Sequence, residues 1–344
     1  MIHHLHAIAA HAFYCGELEA GRRACEALLR HELPPGLEPL VRRNRTWYTH
    51  RLDELASTRF VRLDIEPAYP GWSLFNPSIL AADAGWIVSV RSSNYAIVNG
   101  SYEMPAADNG VIRTENVLLA LDDDLVPGQA EQIPANYERT DFPVDGLEDV
   151  RLNRIDGTLA ISATIRNMAP HDGTCRIATG YFDSLTCRAT PSGRHEKNWM
   201  PLVGRRRWLY SCHDEGHVAT VEADGDSWQV TRHAASPRIA AGFRGGSQLV
   251  PIDGGRWLAI VHEVAEDEGR RIYEHRFVAF DEAADWAICG ISLPFAFREL
   301  RAIEFAAGLA RKGDRLVASF GVRDAEAWLV EMTLPEVRNL LVKP

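Results

Sequence analysis

Five times between residues 75 and 322 the chain repeats one local grammar: a polar or charged lead, a short apolar strand, a Gly/Asp/Arg-rich turn, then a second apolar strand. The five copies are FNPSILAADAGWIVSVR from Phe75, GLEDVRLNRIDGTLAISAT from Gly146, EKNWMPLVGRRRWLYSC from Glu196, RGGSQLVPIDGGRWLAIVHE from Arg244 and IEFAAGLARKGDRLVASFG from Ile303. The apolar residue just past each turn is Trp86, Leu159, Trp208, Trp257 or Leu316, at intervals of 73, 49, 49 and 59 residues. Each interval holds one four-stranded sheet with its loops, and a strand-built repeat of roughly 40 to 50 residues is the signature of propeller blades. The fold expected is therefore mainly β: a five-bladed β-propeller over residues 60–340, with an insertion within Ser101–Thr114 filling the long first interval. A two-sheet sandwich is the alternative, but it does not explain recurrence of one hairpin.

Residues 1–50 read differently. Leu5, Ile8, Ala9, Ala12 and Phe13 recur at helical spacing, Cys15-Gly16 interrupts, and Ala20, Ala24, Ala27, Leu28 and Leu29 resume the pattern until Pro34-Pro35-Gly36 stops it. Two short antiparallel helices resemble a single tetratricopeptide-type unit. One such unit cannot bury its own apolar face, so it braces the main domain or offers a docking point to a protein partner.

Several function classes are disfavoured. The formal net charge is −10, the wrong sign for neutralising phosphates along a nucleic acid, and Arg205-Arg206-Arg207 reads as a solvated turn. No apolar run approaches the roughly 18 residues of a membrane span. The N-terminal stretch lacks a basic start and a small-residue cleavage site, and the six cysteines form no CxxC pair, so reduced thiols and a cytoplasmic location are expected. His3, His4, His6 and His11 lack companions at ligand spacing, so neither a metal nor another cofactor is expected. There is no GxSxG elbow, Cys212-His213 point to opposite faces of a strand, and Arg244-Gly245-Gly246-Ser247 lacks a phosphate-loop lysine.

In a propeller the leading residues of the repeats converge on one end of the central channel. Here those are Asn76, Ser78, Glu148, Asp149, Glu196, Lys197, Arg244 and Glu304. The densest is Gly146-Leu147-Glu148-Asp149-Val150-Arg151. A carboxylate in a partly dry funnel has its pKa raised, which suits a general acid, and a neighbouring arginine pulls it down. A plain pairing of Glu148 or Asp149 with Arg151 is the structural alternative. His195-Glu196-Lys197-Asn198-Trp199 offers a cation beside an aromatic face. Tyr273-Glu274-His275-Arg276-Phe277 places polar groups in an apolar strand ending at Asp281, and Phe320-Gly321-Val322-Arg323-Asp324 closes a strand on an acid.

The order of these motifs resembles the five-bladed propeller family of inverting β-mannoside phosphorylases and hydrolases, with the related β-1,2-mannosyltransferases. The correspondence runs through Asn76-Pro77, Glu148-Asp149-Val150-Arg151, Glu196-Lys197, Tyr273 to Asp281, Phe305-Ala306-Ala307-Gly308 and Phe320-Gly321-Val322-Arg323-Asp324, over roughly residues 70–330. The resemblance implies Asp149 as general acid, acting on the glycosidic oxygen through a sugar hydroxyl. It implies Asn76, Ser78, Arg91 and Asp324 as holders of the sugar, and Lys197, Tyr273 and Arg91 as ligands of an attacking phosphate. Val150 replaces the family's proline after the acids, Phe305-Ala306 lacks another, and Glu274 stands where phosphorylases often carry a phosphate-binding histidine, with His275 and Arg276 beside it to compensate. The acceptor implied is phosphate, a sugar (with a sugar nucleotide as donor) or water. The competing class is a non-catalytic carbohydrate-binding or scaffold propeller in glycan assembly.

Overall fold

Strand alternation from residue 59 onward builds five mainly antiparallel sheets, seen in a computed structural model that describes residues 1–98, 101–169 and 173–344. The first sheet runs through Ser73–Ala81, Trp86–Ser93, Ile112–Leu121 and Pro127–Ile133. The second comprises Glu148–Ile155, Thr158–Ile165, Arg176–Tyr181 and Ser184–Cys187. The third comprises Met200–Pro201, Arg207–Asp214, His217–Asp224 and Ser227–Ala235. The fourth is built on the long hairpin Arg256–Asp267 and Arg270–Asp281, with Arg244–Gly245 and Val250–Asp253 on one side and Ala287–Ile291 and Phe295–Ala296 on the other. The fifth joins Glu304–Lys312, Arg315–Val322 and Glu326–Thr333 to Arg59–Arg62, which comes from the start of the β region. Joining the two ends of the β region in one sheet ties the structure closed. The five sequence markers fall on the first or second residue of each sheet's second strand.

Each sheet touches the next. Ser73–Ala81 lies beside both Glu148–Ile155 and Glu304–Lys312, Glu148–Ile155 beside Met200–Pro201, Arg207–Asp214 beside Arg244–Gly245, and Arg256–Asp267 beside Glu304–Lys312. Buried polar side chains tie the inner strands together. Ser78 Oγ accepts from Leu152 N at 3.0 Å, while Gln248 donates to Ile79 O and accepts from Leu309 N, joining the fourth sheet to the first and fifth. These pairings satisfy groups that would be costly if left unbonded in a dry interior. The long first interval contains the hairpin Ala96–Val98 and Ser101–Glu103, between Ser93 and Ile112.

The N-terminal segment has one more helix than its sequence pattern predicts. Helices α1 (Ile2–His11) and α2 (Leu18–Leu29) are followed by α3 (Leu37–Arg45), which restarts after Gly36 at φ +81°. Cys25, Leu28 and Val41 share one core with Ile239, Phe243, Val261 and Val278, so the apolar face of the helices packs inward on the fourth sheet. A buried ionic cluster reinforces that contact. Glu263 and Glu274 sit directly opposite each other across two strands, a repulsive arrangement on its own. Arg45 bridges them, with Nη1 2.9 Å from Glu263 and Nη2 2.6 Å from Glu274. Arg42 also reaches Glu263, and Arg276 binds Glu263 at 2.5 Å and Glu26 of α2 at 2.7 Å. Among the described residues no helix is long and apolar enough to cross a membrane, and all six cysteines are free thiols.

Candidate active site

The inner strands of the first two sheets each carry a bulge at their leading end. Register slips between Phe75 and Ser78 and between Glu148 and Arg151, with Asn76 at φ +47° and Asp149 at φ +50°. Asn and Asp tolerate this left-handed backbone better than other non-glycine residues, and a bulge re-aims the side chain it carries. The result is a bond between the first two sheets: Asn76 Nδ2 donates to Asp149 Oδ1 at 2.9 Å. Arg91 Nη1, from the second strand of the first sheet, donates to the same oxygen at 3.1 Å. Among the described residues Asp149 Oδ2 has no hydrogen-bond partner, so it is the free edge of the carboxylate. Gly321 makes this packing possible, because a Cβ there would lie 2.6 Å from Asn76 N. Gly321→Ala is therefore expected to cost about 1–3 kcal/mol through overpacking and to weaken any ligand held by Asn76, checked by urea denaturation and a binding titration.

Around Asp149 stand the other polar groups. Lys197 Nζ is 3.2 Å from Glu148 Oε2, and Arg91 Nη2 is 3.9 Å from the same oxygen. Arg151 does not pair with either neighbouring carboxylate. It donates to the Asp149 carbonyl at 2.8 Å, Gly246 O at 2.7 Å and Asn198 Oδ1 at 3.1 Å, stitching the second, third and fourth sheets. Asp324 lies in the tight turn after Arg315–Val322, where Arg323 and Asp324 both have positive φ. Its Oδ2 accepts from Tyr95 Oη at 2.9 Å. The Tyr95 ring in turn sits 5.7 Å from the Arg91 guanidinium, which links the two acids through one arginine and one phenol.

Burial and charge push these acids apart. Burial raises Asp149, but Arg91, Arg151, Asn76 and Lys197 outweigh it and hold its pKa below the ordinary carboxylate range. Burial raises Asp324, and the nearby Asp149 and Glu148 add to the rise against the pull of Arg91 and Tyr95. Burial likewise raises Tyr95, which stays a phenol and a donor. The site thus favours an ionised Asp149 and an Asp324 that resists ionisation. Two carboxyls separated in this way have distinct acid–base duties available.

On the opposite side, Tyr273 stacks on His262 with centroids 5.1 Å apart, and Phe305 packs edge-on against His262 at 5.2 Å. Burial raises the Tyr273 phenol, with Arg271 and Arg244 pulling it down and Asp324 and Asp149 adding to the rise. Burial, with His275, Arg244 and Arg151, lowers His262 far enough to keep it neutral.

The structure brings together Asn76, Arg91, Glu148, Asp149, Lys197, Arg244, Tyr273 and Asp324. Four expected site residues lie elsewhere. Ser78 is fully buried and its hydroxyl is engaged by Leu152 N. Glu304 accepts from the backbone N–H groups of Phe297, Arg298 and Glu299, anchoring a loop, and burial pushes its pKa up to about 7 against those donors. Arg276 faces the helices, because strand alternation puts it on the same side as Glu274, away from Tyr273. His275 is packed against Phe295 and Phe297, and burial lowers its pKa to about 3, so it offers no cation to a phosphate. Glu274 also turns to Arg45, so its charge is absent from the Tyr273 face. Sequence reasoning missed Tyr95, His262 and Asn198. Asn198, at φ +63°, occupies in the third copy the place of Asn76 and Asp149, each ten residues before the apolar residue after its turn, and aligning the copies at that residue reveals it. Among the described residues no group of three or more His, Cys, Asp or Glu is placed to hold a metal.

No protein-family model matches the chain, and no curated protein sequence matches it either. Solved structures do match in shape. A β-1,2-mannobiose phosphorylase from Listeria innocua superposes with a TM-score of 0.54 at 15% identity, covering 82% of this chain and 96% of the other. A structure from the GH130 family of mannoside phosphorylases, reported with glycoside hydrolases that target β-1,2-mannosidic linkages in Candida mannan, gives 0.54 at 14% identity, with the same coverage of 82% and 96%. A glycosyl hydrolase from Bacteroides ovatus gives 0.51 at 14% identity, covering 82% and 96%. The chain is thus mainly β and shares the propeller-like fold of mannoside phosphorylases and glycoside hydrolases.

Proposed function

We propose that the chain is a five-bladed propeller enzyme over residues 60–340, braced by the helical segment 1–50, and that it transfers a mannoside-like sugar with inversion. Asp149 is its general acid, and phosphate is the favoured acceptor. The observation that carries this reading is the Asn76–Asp149–Arg91 junction: a bulged carboxylate with one oxygen fixed and the other free, facing a second acid on Tyr95. Asn76, Arg91 and Asp324 hold the sugar ring, with Glu148 orienting Lys197 at its edge. Lys197, Arg244 and Tyr273 lie on the side from which an acceptor approaches.

With Asp149 as the acid, Asp324 is the remaining carboxyl, and this division favours phosphate over water. Hydrolysis with inversion needs a carboxylate to activate water, and an acid biased toward its protonated form is a weak general base. Phosphate brings its own nucleophilic charge and needs cations, which Lys197 and Arg244 supply. Incubation with β-1,2-mannobiose, with and without inorganic phosphate, and with GDP-mannose plus mannose, tests the reading. Release of mannose 1-phosphate only when phosphate is present supports it. Equal turnover without phosphate overturns the acceptor assignment, and no turnover of any donor leaves a binding propeller.

Asp149 must carry a proton to act, and its pKa is held low, so kcat/KM is expected to fall as pH rises from the acidic range. Entry of a sugar desolvates the carboxyl further and moves it upward. Arg91→Gln removes the strongest of the lowering influences. The alkaline limb of the profile should then move to higher pH, whatever the loss in absolute rate, as read from a pH–rate profile of the variant.

A further inference from the structure

Away from the acids, a cavity of about 140 Å³ lies between the second and third sheets. Ile155 and the turn residue Arg206 line it, at the hairpin-turn end of the inner strands. Ile155 ends the strand that carries Asp149, and Ser162 pairs with Arg151 on that strand, so the cavity runs from the hairpin turn toward the strand's leading end. Two of its wall residues are nearly buried and carry unmet hydrogen-bonding atoms. Ser162 is 3% exposed and Trp208 8% exposed, and neither Ser162 Oγ nor Trp208 Nε1 has a partner among the described residues. An indole N–H only donates, so the Trp208 group requires an acceptor. Unbonded buried donors of this kind are rare in native structures and signal a missing water or ligand.

The charge at the cavity is positive. The Arg188 guanidinium donates to Gly225 O at 2.9 Å and lies 5.1 Å from the Trp228 ring, with no carboxylate at ion-pair distance among the described residues. Arg206 shares one exposed acid, Asp156, at 3.1 Å, and also reaches Tyr181 Oη. Donors on several sides of a small space suit a group with acceptors pointing several ways. Most of the remaining wall is apolar, which accommodates an organic substituent.

We propose that this cavity is a second ligand site that binds a phosphoryl group, with Trp208 and Ser162 donating from within and Arg188 and Arg206 closing the rim. The proposal is independent of the chemistry at Asp149. It is tested by the indole N–H resonances of the nitrogen-15-labelled full chain, with the Trp208 peak identified through Trp208→Phe. Titrations use inorganic phosphate and mannose 1-phosphate, with mannose as the uncharged control. A saturable shift of the Trp208 peak with the phosphates and not with mannose is expected. Arg188→Gln should weaken that response about tenfold, as loss of a charge-assisted hydrogen bond implies, and Ser162→Ala should weaken it by a smaller factor. A stronger response to the ester than to inorganic phosphate identifies the organic part as a contributor, and equal responses identify the free ion as the ligand. An unmoved peak at tens of millimolar phosphate means water alone fills the cavity and overturns the proposal. An unchanged response in Arg188→Gln overturns it as well.

Discussion

Asp149→Asn is expected to lower turnover of a β-mannoside by about 10²–10⁴-fold, the usual contribution of a positioned general acid. The substitution keeps an oxygen for Asn76 and Arg91 to bond, so the junction between the first two sheets keeps its geometry, while loss of the charge opposite Arg91 lowers thermal stability. The amide cannot deliver a proton to the leaving oxygen, so the loss falls on kcat rather than on substrate affinity. Paired measurements of kcat, KM and melting temperature on the two proteins check this. Equal kcat values in wild type and variant would remove Asp149 from the chemistry.

Arg45→Met is expected to cost about 3–5 kcal/mol of stability, the range found when one partner of a buried ion pair is removed. Arg45 is 1% exposed and separates two carboxylates that face each other across adjacent strands. Burial raises Glu263, but Arg45, Arg276 and Arg42 overcome it and hold its pKa well below the ordinary range. A group with a depressed folded pKa stabilises the fold above its unfolded pKa and loses that contribution as pH falls through the folded value. Without Arg45 the penalty should therefore be greatest at neutral pH and shrink in acid, as Glu263 takes up a proton. Urea denaturation at neutral and mildly acidic pH measures the difference. Because Glu274 is next to Tyr273 on one strand, the variant should also raise KM where the helices lose their grip.

The repeating hairpin was legible because its grammar is local: a turn, an apolar residue after it, and a polar lead before it. The same locality made Asn76 and Asp149, and likewise Glu148 and Lys197, readable, since equivalent positions in successive copies meet at one place. Equivalence failed where a copy uses its lead residue for construction. Ser78 and Glu304 satisfy backbone N–H groups of neighbouring segments, and nothing in their own sequence distinguishes that task from ligand binding. The strand from Arg270 to Asp281 shows a different limit. Alternation separates Tyr273 and His275 from Glu274 and Arg276, but which face meets the acids depends on where the helices pack. Arg42 and Arg45, more than two hundred residues away in sequence, settle that face. Tyr95 was hidden because it follows the end of a strand and reaches Asp324 only through the fold. The restart of α3 at Gly36 was hidden by the two prolines before it, which read as a stop.

A crystal structure of Asp149→Asn soaked with β-1,2-mannobiose tests the account most directly. One mannose ring should lie between residue 149 and Asp324, with hydroxyls on Asn76 and Asp324 and the bridging oxygen on the ring face turned away from Lys197 and Tyr273. A disaccharide bound on another surface, with this pit still empty, would contradict the assignment.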